Sequence, residues 1–453
     1  MNKAEEPIQN YNQLIENYIK QYSINKKPIE VSFRTKIAGL KNNDRFTHLI
    51  HSYPAKLLMH IPYFFLNNTI FSKEGDTVLD PFCGTGTVLL EAMLAKRKPL
   101  GADANPLARI ISNVKTQKLD EKKLKKTLTQ IVYRSKKYKR VNIPDVVNID
   151  HWFSKRNQKE LASILKAIKS IKDDLYRSFF LVSFSNCVKK VSYADPRISV
   201  PVKLNPDRFK EDRLKYMEVK KSIKKIDEID VYEKYRTVSI QNIQRLITLN
   251  KIDYKTYNSR VISSDARCLT GSINSKTKFK GNSVQLILTS PPYAGAQKYI
   301  RSSSLNLGWT EMATTYELLG LDNNNIGREN YKNSDLVIKS TGINRADKLI
   351  KKIVKIDKVR AKIIAQYLIE MELAINESIR VLKKDGFFVL IVGNNKVCNN
   401  EFNTQEYLTE IIEKKGLKLL FKLIDDIKSY GLMTKRNKTA DIISREWVLV
   451  FKK

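Results

Sequence analysis

The 453-residue sequence has few of the residues that build metal centres and disulfide frameworks. It contains four cysteines, which are far apart and form no Cys-x-x-Cys pair: Cys83, Cys187, Cys268 and Cys398. It also contains four histidines, none in a His-Glu-x-x-His pattern: His48, His51, His60 and His151. We therefore expect reduced thiols and no bound metal ion.

Long apolar runs are also lacking. No stretch of about 18 apolar residues is present, as a membrane-spanning helix would require. The first residues, Met1-Asn-Lys-Ala-Glu-Glu6, are polar and acidic and do not resemble a signal or transit peptide. The sequence predicts a soluble, cytoplasmic protein with no membrane partner.

Acidic residues are outnumbered. There are 47 Asp and Glu against 82 Lys and Arg, which gives a formal net charge of +35. Such an excess favours a polyanionic partner, and nucleic acid is the commonest soluble one because each neutralised phosphate releases counterions. A solvated, lysine-rich surface without a partner is the alternative at this point.

Short apolar runs and a glycine turn predict a parallel sheet. Residues 76–95 read as a strand, a glycine turn and a helix, and residues 99–103 read as a second strand. Further buried strands are predicted at 259–265, 283–289 and 387–392, and two closing strands at 417–424 and 447–451.

The predicted strands are interrupted by two long basic segments. Residues 1–115 and 256–453 are predicted to form the two parts of one core, and residues 116–255 a mainly helical basic insertion. A second basic insertion is predicted at 296–365. The first insertion, residues 116–255, contains a loop-like stretch at 192–201 and is our candidate for a recognition region, a role that residues 296–365 could share.

The turn Asp80-Pro-Phe-Cys-Gly-Thr-Gly86 lets the backbone pass close to a ligand, because glycine is needed where a side chain would collide. A dinucleotide-binding turn would have a third glycine where this chain has Leu89. Asp103, after the second predicted strand, is placed to hold a ribose diol. The pair indicates an adenosine-type cofactor, with a structural turn and a surface aspartate as the alternative.

These residues also carry a family resemblance. Asp80 to Gly86 resembles motif I of S-adenosylmethionine-dependent DNA amino-methyltransferases, and Thr289-Ser-Pro-Pro-Tyr293 resembles their catalytic motif IV in its cytosine-N4-specific form. His51-Ser-Tyr-Pro-Ala-Lys56 resembles their motif X. The resemblance implies a class I (Rossmann-like) α/β methyltransferase fold, with a seven-stranded, mostly parallel sheet, helices on both faces and basic helical insertions.

The resemblance also implies ligands and site residues. The cofactor would be S-adenosyl-L-methionine, the substrate double-stranded DNA, and a cognate restriction endonuclease a further partner. The expected catalytic residues are Ser290, Pro291, Pro292 and Tyr293. The expected cofactor-binding residues are Tyr53, Pro54, Lys56, Asp80, Pro81, Phe82, Gly84, Gly86, Thr87, Asp103 and Asp265. The expected substrate-binding residues are Tyr299 and Arg301.

The chemistry of the Ser-Pro-Pro-Tyr stretch can be argued from its residues. The exocyclic amine of a base is a poor nucleophile because its lone pair is delocalised into the ring. The Ser290 hydroxyl and the Pro291 carbonyl could accept hydrogen bonds from the two N–H groups of this amine and so favour the form with an available lone pair. The Tyr293 ring offers a face on which an extruded base could stack. Methylation of a ring carbon of cytosine needs a nucleophilic cysteine, which normally follows a proline. None of the four cysteines follows a proline, so this chemistry is excluded.

Three alternatives remain open from the sequence. The same apparatus could methylate N6 of adenine, because serine in place of aspartate at position 290 is a tendency of the cytosine enzymes rather than a chemical barrier. The glycine turn also resembles that of RNA guanine-N2 methyltransferases. A basic nucleic-acid-binding protein without turnover is the third, and the intact Gly84, Gly86, Ser290 and Tyr293 argue against it.

Overall fold

The computed structural model describes residues 11–37, 40, 45–54, 56–252, 257–273, 275–295, 298–329, 331, 335–426 and 445–453. Ten strands are present in this part of the chain: β1 (Ile29–Val31), β2 (Thr77–Asp80), β3 (Lys98–Ala102), β4 (Arg260–Ser263), β5 (Val284–Thr289), β6 (Leu382–Val392), β7 (Asn395–Val397), β8 (Asn400–Phe402), β9 (Lys418–Asp426) and β10 (Arg445–Lys452).

Eight of these strands form one sheet in the order β1-β9-β10-β6-β5-β2-β3-β4, and β7 and β8 form a separate antiparallel pair. All neighbours in the large sheet are parallel except β10, which runs antiparallel to both β6 and β9. This arrangement confirms the predicted class I methyltransferase fold.

The strand count differs from the predicted seven. The additional strand is β1, which pairs with the edge strand β9. It has three residues and follows Pro28, so it is too short to show the alternation of apolar and polar side chains by which a strand is found in a sequence.

Helices cover both faces of the sheet. Those outside the first insertion are α1 (Tyr11–Asn25), α2 (Phe33–Lys36), α3 (His60–Leu66), α4 (Thr87–Leu94), α5 (Pro106–Lys115), α12 (Tyr299–Trp309), α13 (Glu317–Asn324), α14 (Asn344–Val354), α15 (Lys358–Val381) and α16 (Thr404–Lys414). Adjacent residues of one strand belong to opposite cores: Val389 packs with α1 and α3, whereas Leu390 packs with α15 and α16. Burial on both faces explains why the strands are apolar throughout.

The segment between β3 and β4 is helical after α5. It contains α6 (Glu121–Lys137), α7 (Ile149–Trp152), α8 (Lys155–Lys169), α9 (Asp174–Val188), α10 (Arg213–Glu228) and α11 (Val231–Asn250), with short 3-10 turns at Lys189–Val191 and Pro206–Phe209. Apolar side chains of α6, α8, α9 and α11 share one core with α5 and with Trp309 of α12, and those of α7 pack against it. The start of the second insertion therefore packs against the first.

The carboxyl ends of β2, β3, β4 and β5 lie side by side at one edge of the sheet, because these four strands are parallel neighbours. Asp80, Asp103, Asp265 and Ser290 end or follow these strands. Ligands of open α/β sheets bind in the crevice at this edge. The strand order thus collects residues that are far apart in the sequence, as the contact between residues 80 and 289 shows directly.

None of the helices in the described residues is long and apolar enough to cross a membrane. Within the same residues, no group of three or more His, Cys, Asp or Glu side chains is arranged to hold a metal ion. The four cysteines are free thiols.

Candidate active site

The glycine turn after β2 has two glycines with different tasks. Both have positive φ, +47° at Gly84 and +73° at Gly86. A Cβ on Gly86 would lie 2.8 Å from the Cβ of Ser112, so this glycine permits α4 and α5 to pack closely. A Cβ on Gly84 would meet no atom within 4 Å. The backbone at Gly84 therefore faces open space, into which any larger side chain would project.

The Asp103 carboxylate is fixed beside this turn. It accepts hydrogen bonds from the backbone N–H of Gly84 (2.9 Å) and of Asn105 (2.8 Å). Burial is the largest influence on its pKa and raises it above the ordinary value, although both N–H donors oppose the rise. The Asn105 side chain in turn donates to the Tyr53 hydroxyl (3.0 Å) and to Ser303 (3.0 Å). Three distant segments are thus held together around one carboxylate.

Asp80 connects the glycine turn to the next strand of the site. Its Oδ1 accepts hydrogen bonds from the Thr289 hydroxyl (2.5 Å) and the Phe82 backbone N–H (3.1 Å). Burial raises the pKa of this carboxyl to about 7, despite both hydrogen bonds. Ser290 follows Thr289 directly, so this contact ties the start of the Ser-Pro-Pro-Tyr stretch to the strand before the glycine turn.

A cleft at this edge of the sheet brings together residues of all three motifs. The predicted site residues that line it are Tyr53, Pro81, Phe82, Gly84, Asp103, Asp265, Ser290, Pro292 and Tyr299. Six lining residues were not predicted: Ala104, Asn105, Ala266, Asn324, Asn325 and Ile326. Asn324 to Ile326 come from the end of α13 in the second insertion, and their sequence offered no signal beyond an asparagine-rich turn.

The remaining predicted residues lie beside the cleft or away from its walls. Asp80 and Gly86 are the two end residues of the glycine turn and do not line the cleft. Thr87, at the start of α4, and Pro291 are buried. Lys56 turns inward, and its ammonium group donates to the backbone carbonyls of His51 (2.5 Å) and His48 (3.2 Å). Pro54 is half-buried, and Arg301 lines a neighbouring cavity.

Tyr293 is oriented by a residue that the sequence did not reveal. Its hydroxyl donates a hydrogen bond to the Glu446 carboxylate, with 3.1 Å between the oxygens. Burial, assisted by the nearby Asp425, raises the pKa of Glu446. Glu446 lies on β10, far from the motif in sequence, and a single glutamate in an apolar closing strand carries no signal of such a contact.

Asp265 reaches the cleft but is also engaged by a neighbour. Its two carboxylate oxygens accept a fork of three hydrogen bonds from the Arg267 guanidinium, two from Nε and one from Nη2, at 2.9 to 3.1 Å. Arg267 contacts Glu370 of α15 as well, at 3.5 Å. The fork fixes the direction of the Asp265 carboxylate at the wall of the cleft.

The groups in the cleft suit S-adenosyl-L-methionine. Asp103 has carboxylate oxygens that could accept hydrogen bonds from a ribose diol, and Asp265 has an acceptor that could meet an adenine amino group. Phe82, Ala266 and Ile326 add apolar surface to the cleft, against which an adenine ring could pack. The open space at Gly84 leaves room for a ligand against the backbone. The fold and this cleft together define a methyltransferase whose cofactor is S-adenosyl-L-methionine.

Comparison with known proteins narrows this class. Residues 3–113 match the family model for DNA methylase of the N6 and N4 type. The chain is 24% identical over 448 residues to the Type II methyltransferase M.MvaI of Kocuria varians, with 93% of each chain covered. It is 28% identical over 192 residues to the Type II methyltransferase M.MjaII of Methanocaldococcus jannaschii, covering 39% of this chain and 36% of that one. These matches support a DNA methyltransferase and leave N4 and N6 targets unresolved.

Solved structures also align with the chain. A putative DNA modification methylase from Thermus thermophilus aligns at 19% identity and a TM-score of 0.19, covering 39% of this chain and 48% of that one. The rRNA methyltransferase aviRa from Streptomyces viridochromogenes aligns at 9% identity and a TM-score of 0.29, covering 89% of each. The fold assignment rests on the strand order described above.

Proposed function

We propose that the protein transfers a methyl group from S-adenosyl-L-methionine to the exocyclic N4 amine of cytosine in a specific sequence of duplex DNA. The observation that carries the proposal is the position of Ser290 and Pro292, which line the same cleft as Gly84 and Asp103. Residues of the type that activates an amine thus face the space suited to the methyl donor.

The proposed division of labour follows from the cleft. Asp103 and Asp265 would hold the sugar and the base of the cofactor, and the Gly84 backbone would leave room for its methionine end. When bound, S-adenosyl-L-methionine supplies a methyl carbon that is already electrophilic because it is attached to a sulfonium sulfur. The chain therefore has to position the amine and make its lone pair available.

Ser290 and Pro291 would perform this second task. The Ser290 hydroxyl oxygen and the Pro291 carbonyl oxygen would accept hydrogen bonds from the two N–H groups of the amine. These hydrogen bonds would stabilise its pyramidal, nucleophilic form. Tyr293, held by Glu446, would present its ring to the extruded base. The serine at position 290 favours cytosine N4 over adenine N6, because it resembles the cytosine-specific form of the motif.

The net charge of +35 supports a nucleic-acid substrate. We propose a cytoplasmic modification enzyme of a restriction-modification system, with a cognate endonuclease as its partner; the similarity to two Type II methyltransferases supports the modification role. Part of the excess of positive charge lies in the first insertion. In its helix α6, Lys and Arg residues far outnumber the single Glu. We propose that both insertions contact the DNA.

The proposal is tested by expressing the protein in a bacterial host whose DNA lacks N4-methylcytosine and digesting the genomic DNA to nucleosides for mass analysis. The account predicts N4-methylcytosine with the wild type and much less of it with Ser290→Ala. N6-methyladenine in its place would overturn the assignment of the base. Absence of both modified nucleosides, with soluble and cofactor-binding protein, would contradict the proposed activity itself.

A further inference from the structure

A second cavity of about 500 Å³ lies next to the cofactor cleft. The first turn of α12 separates the two spaces: Tyr299 lines the cleft, whereas Ile300 and Arg301 line the second cavity. Its other walls come from α7 and α13. A cavity of this size is within the range of small-ligand sites, and it adjoins the place where the methylated base is proposed to bind.

One wall of this cavity is aromatic and apolar. Trp152 at the end of α7 is half-buried there, and Leu318 and Leu319 of α13 also line the cavity. Pro201 adds apolar surface from the loop at 192–201, which the sequence singled out as a recognition segment. The backbone N–H of Tyr193 donates to the Trp152 carbonyl (2.8 Å), so this loop is attached to the tryptophan.

The polar groups of the cavity suit a base better than a phosphate. Asp322 and Glu329 are in its lining, and burial raises the pKa of Asp322. Lys298 contacts Glu329 at 3.2 Å and is thereby partly neutralised. Carboxylates repel a phosphate but accept hydrogen bonds from the amino groups of bases. Arg301, at the wall, is exposed and is available to contact the DNA phosphates outside the cavity.

We propose that this cavity receives one nucleobase of the DNA that neighbours the methylated base, stacked on Trp152 and hydrogen-bonded to Asp322. The cavity thereby contributes to sequence recognition. The inference rests on the proposed function, because it requires DNA in the adjacent cleft. It identifies the loop at 192–201 and the start of the second insertion as the two sides of one reading site.

The experiment is a cycle between protein and DNA variants. The recognition sequence is first mapped from methylated DNA. Each of its positions except the methylated base is then replaced, one at a time, by an abasic site. Dissociation constants are measured for wild type and Trp152→Ala with S-adenosylhomocysteine present. We expect one position at which the abasic site weakens wild-type binding about 5- to 150-fold, as loss of a stacked base does. The same abasic site should weaken binding by Trp152→Ala only slightly.

Two further variants complete the design. Tyr133→Ala removes an exposed ring from α6, outside the cavity, and should reproduce the wild-type pattern at every position. Arg301→Ala, on the exposed wall, should weaken binding to all duplexes alike and lower the salt dependence of binding by about one phosphate contact. Arg301→Ala still tests the inference if Trp152→Ala fails to fold.

Equal penalties in wild type and Trp152→Ala at every position would overturn the inference. So would an Arg301→Ala effect confined to one base position, because that would make Arg301 the reader. Failure of the proposed function is distinguishable, because the wild type would then leave no methylated base to map.

Discussion

The Thr289 hydroxyl donates a 2.5 Å hydrogen bond to the Asp80 carboxylate, and this contact joins the two halves of the proposed site. Thr289 ends β5 immediately before the proposed catalytic Ser290, and Asp80 ends β2 immediately before the glycine turn. The two strands are parallel neighbours, so the contact fixes the relative height of the two loops. The loops proposed for cofactor binding and for catalysis therefore share one buried carboxyl group.

The first prediction concerns the pH dependence of stability. Burial raises the pKa of Asp80 to about 7 in the folded protein, against about 3.9 for an unfolded chain. The folded state therefore binds more protons between these values, and the contribution of Asp80 to the free energy of unfolding falls as pH rises from about 4 to about 7. Asp80→Asn cannot titrate and should flatten this decline, measured by chemical denaturation without cofactor.

Thr289→Val provides the complementary variant. The Thr289 hydrogen bond favours the charged carboxylate, so its removal raises the folded-state pKa of Asp80 further, and the decline in stability should still begin near pH 4 but extend to a higher pH than in the wild type. An unchanged pH dependence in Asp80→Asn would show that other groups dominate.

The second prediction separates catalysis from cofactor binding. Ser290→Ala should lower turnover roughly 100-fold, since it removes one acceptor from the proposed amine site. Affinity for S-adenosyl-L-methionine, measured by calorimetry, should stay near the wild-type value. Ser283→Ala is the matched control, because Ser283 lies just before the opposite end of β5 and bonds to the Lys280 carbonyl. Equal loss of turnover and cofactor affinity in Ser290→Ala would contradict the assigned role.

The third prediction concerns the glycine turn. Gly84→Val should reduce affinity for S-adenosyl-L-methionine roughly 100-fold or more, because its side chain would project into the open cleft from a backbone with positive φ. Gly320→Val is the control, since a side chain at Gly320 also meets open space but Gly320 is not among the residues that line the cleft. Circular dichroism checks that both variants are folded. Wild-type cofactor affinity in folded Gly84→Val would place the cofactor elsewhere.

The fourth prediction concerns the support of Tyr293. Glu446→Leu removes the acceptor of the Tyr293 hydroxyl and should lower turnover about fivefold, because such a hydrogen bond contributes about 1 kcal/mol. Glu446→Gln keeps an acceptor and should retain most activity. Cofactor affinity should be unchanged in both. If Glu446→Gln and Glu446→Leu lose activity equally, the carboxylate has a role other than orienting the ring.

The sequence predicted those parts of the site that depend on local pattern. The glycine turn, the strands beside it and the aspartates at their ends follow from the chain conformation over a few residues, and the sheet order then brings Asp80, Asp103, Asp265 and Ser290 to one edge. The predicted, mostly parallel sheet is observed, with β1 as an additional edge strand. Periodicity in short apolar runs was sufficient for these elements.

Contacts that depend on packing between distant segments could not be predicted. Glu446 reaches Tyr293 only because β10 inserts between β6 and β9, and Asn324 reaches the cleft only because α13 folds back over it. Lys56 was expected near the cofactor, yet its ammonium group bonds to the carbonyls of His48 and His51. A lysine in a motif does not reveal which way its long side chain turns.

The most direct test of the account is methyl transfer by the purified protein from labelled S-adenosyl-L-methionine to mixed-sequence duplex DNA and to RNA in parallel, followed by nucleoside analysis. The account predicts label in the DNA alone, all of it in N4-methylcytosine. Label in N6-methyladenine would retain the fold and the mechanism but contradict the base. Label in RNA alone, or in neither polymer, would contradict the central claim that this cleft methylates DNA.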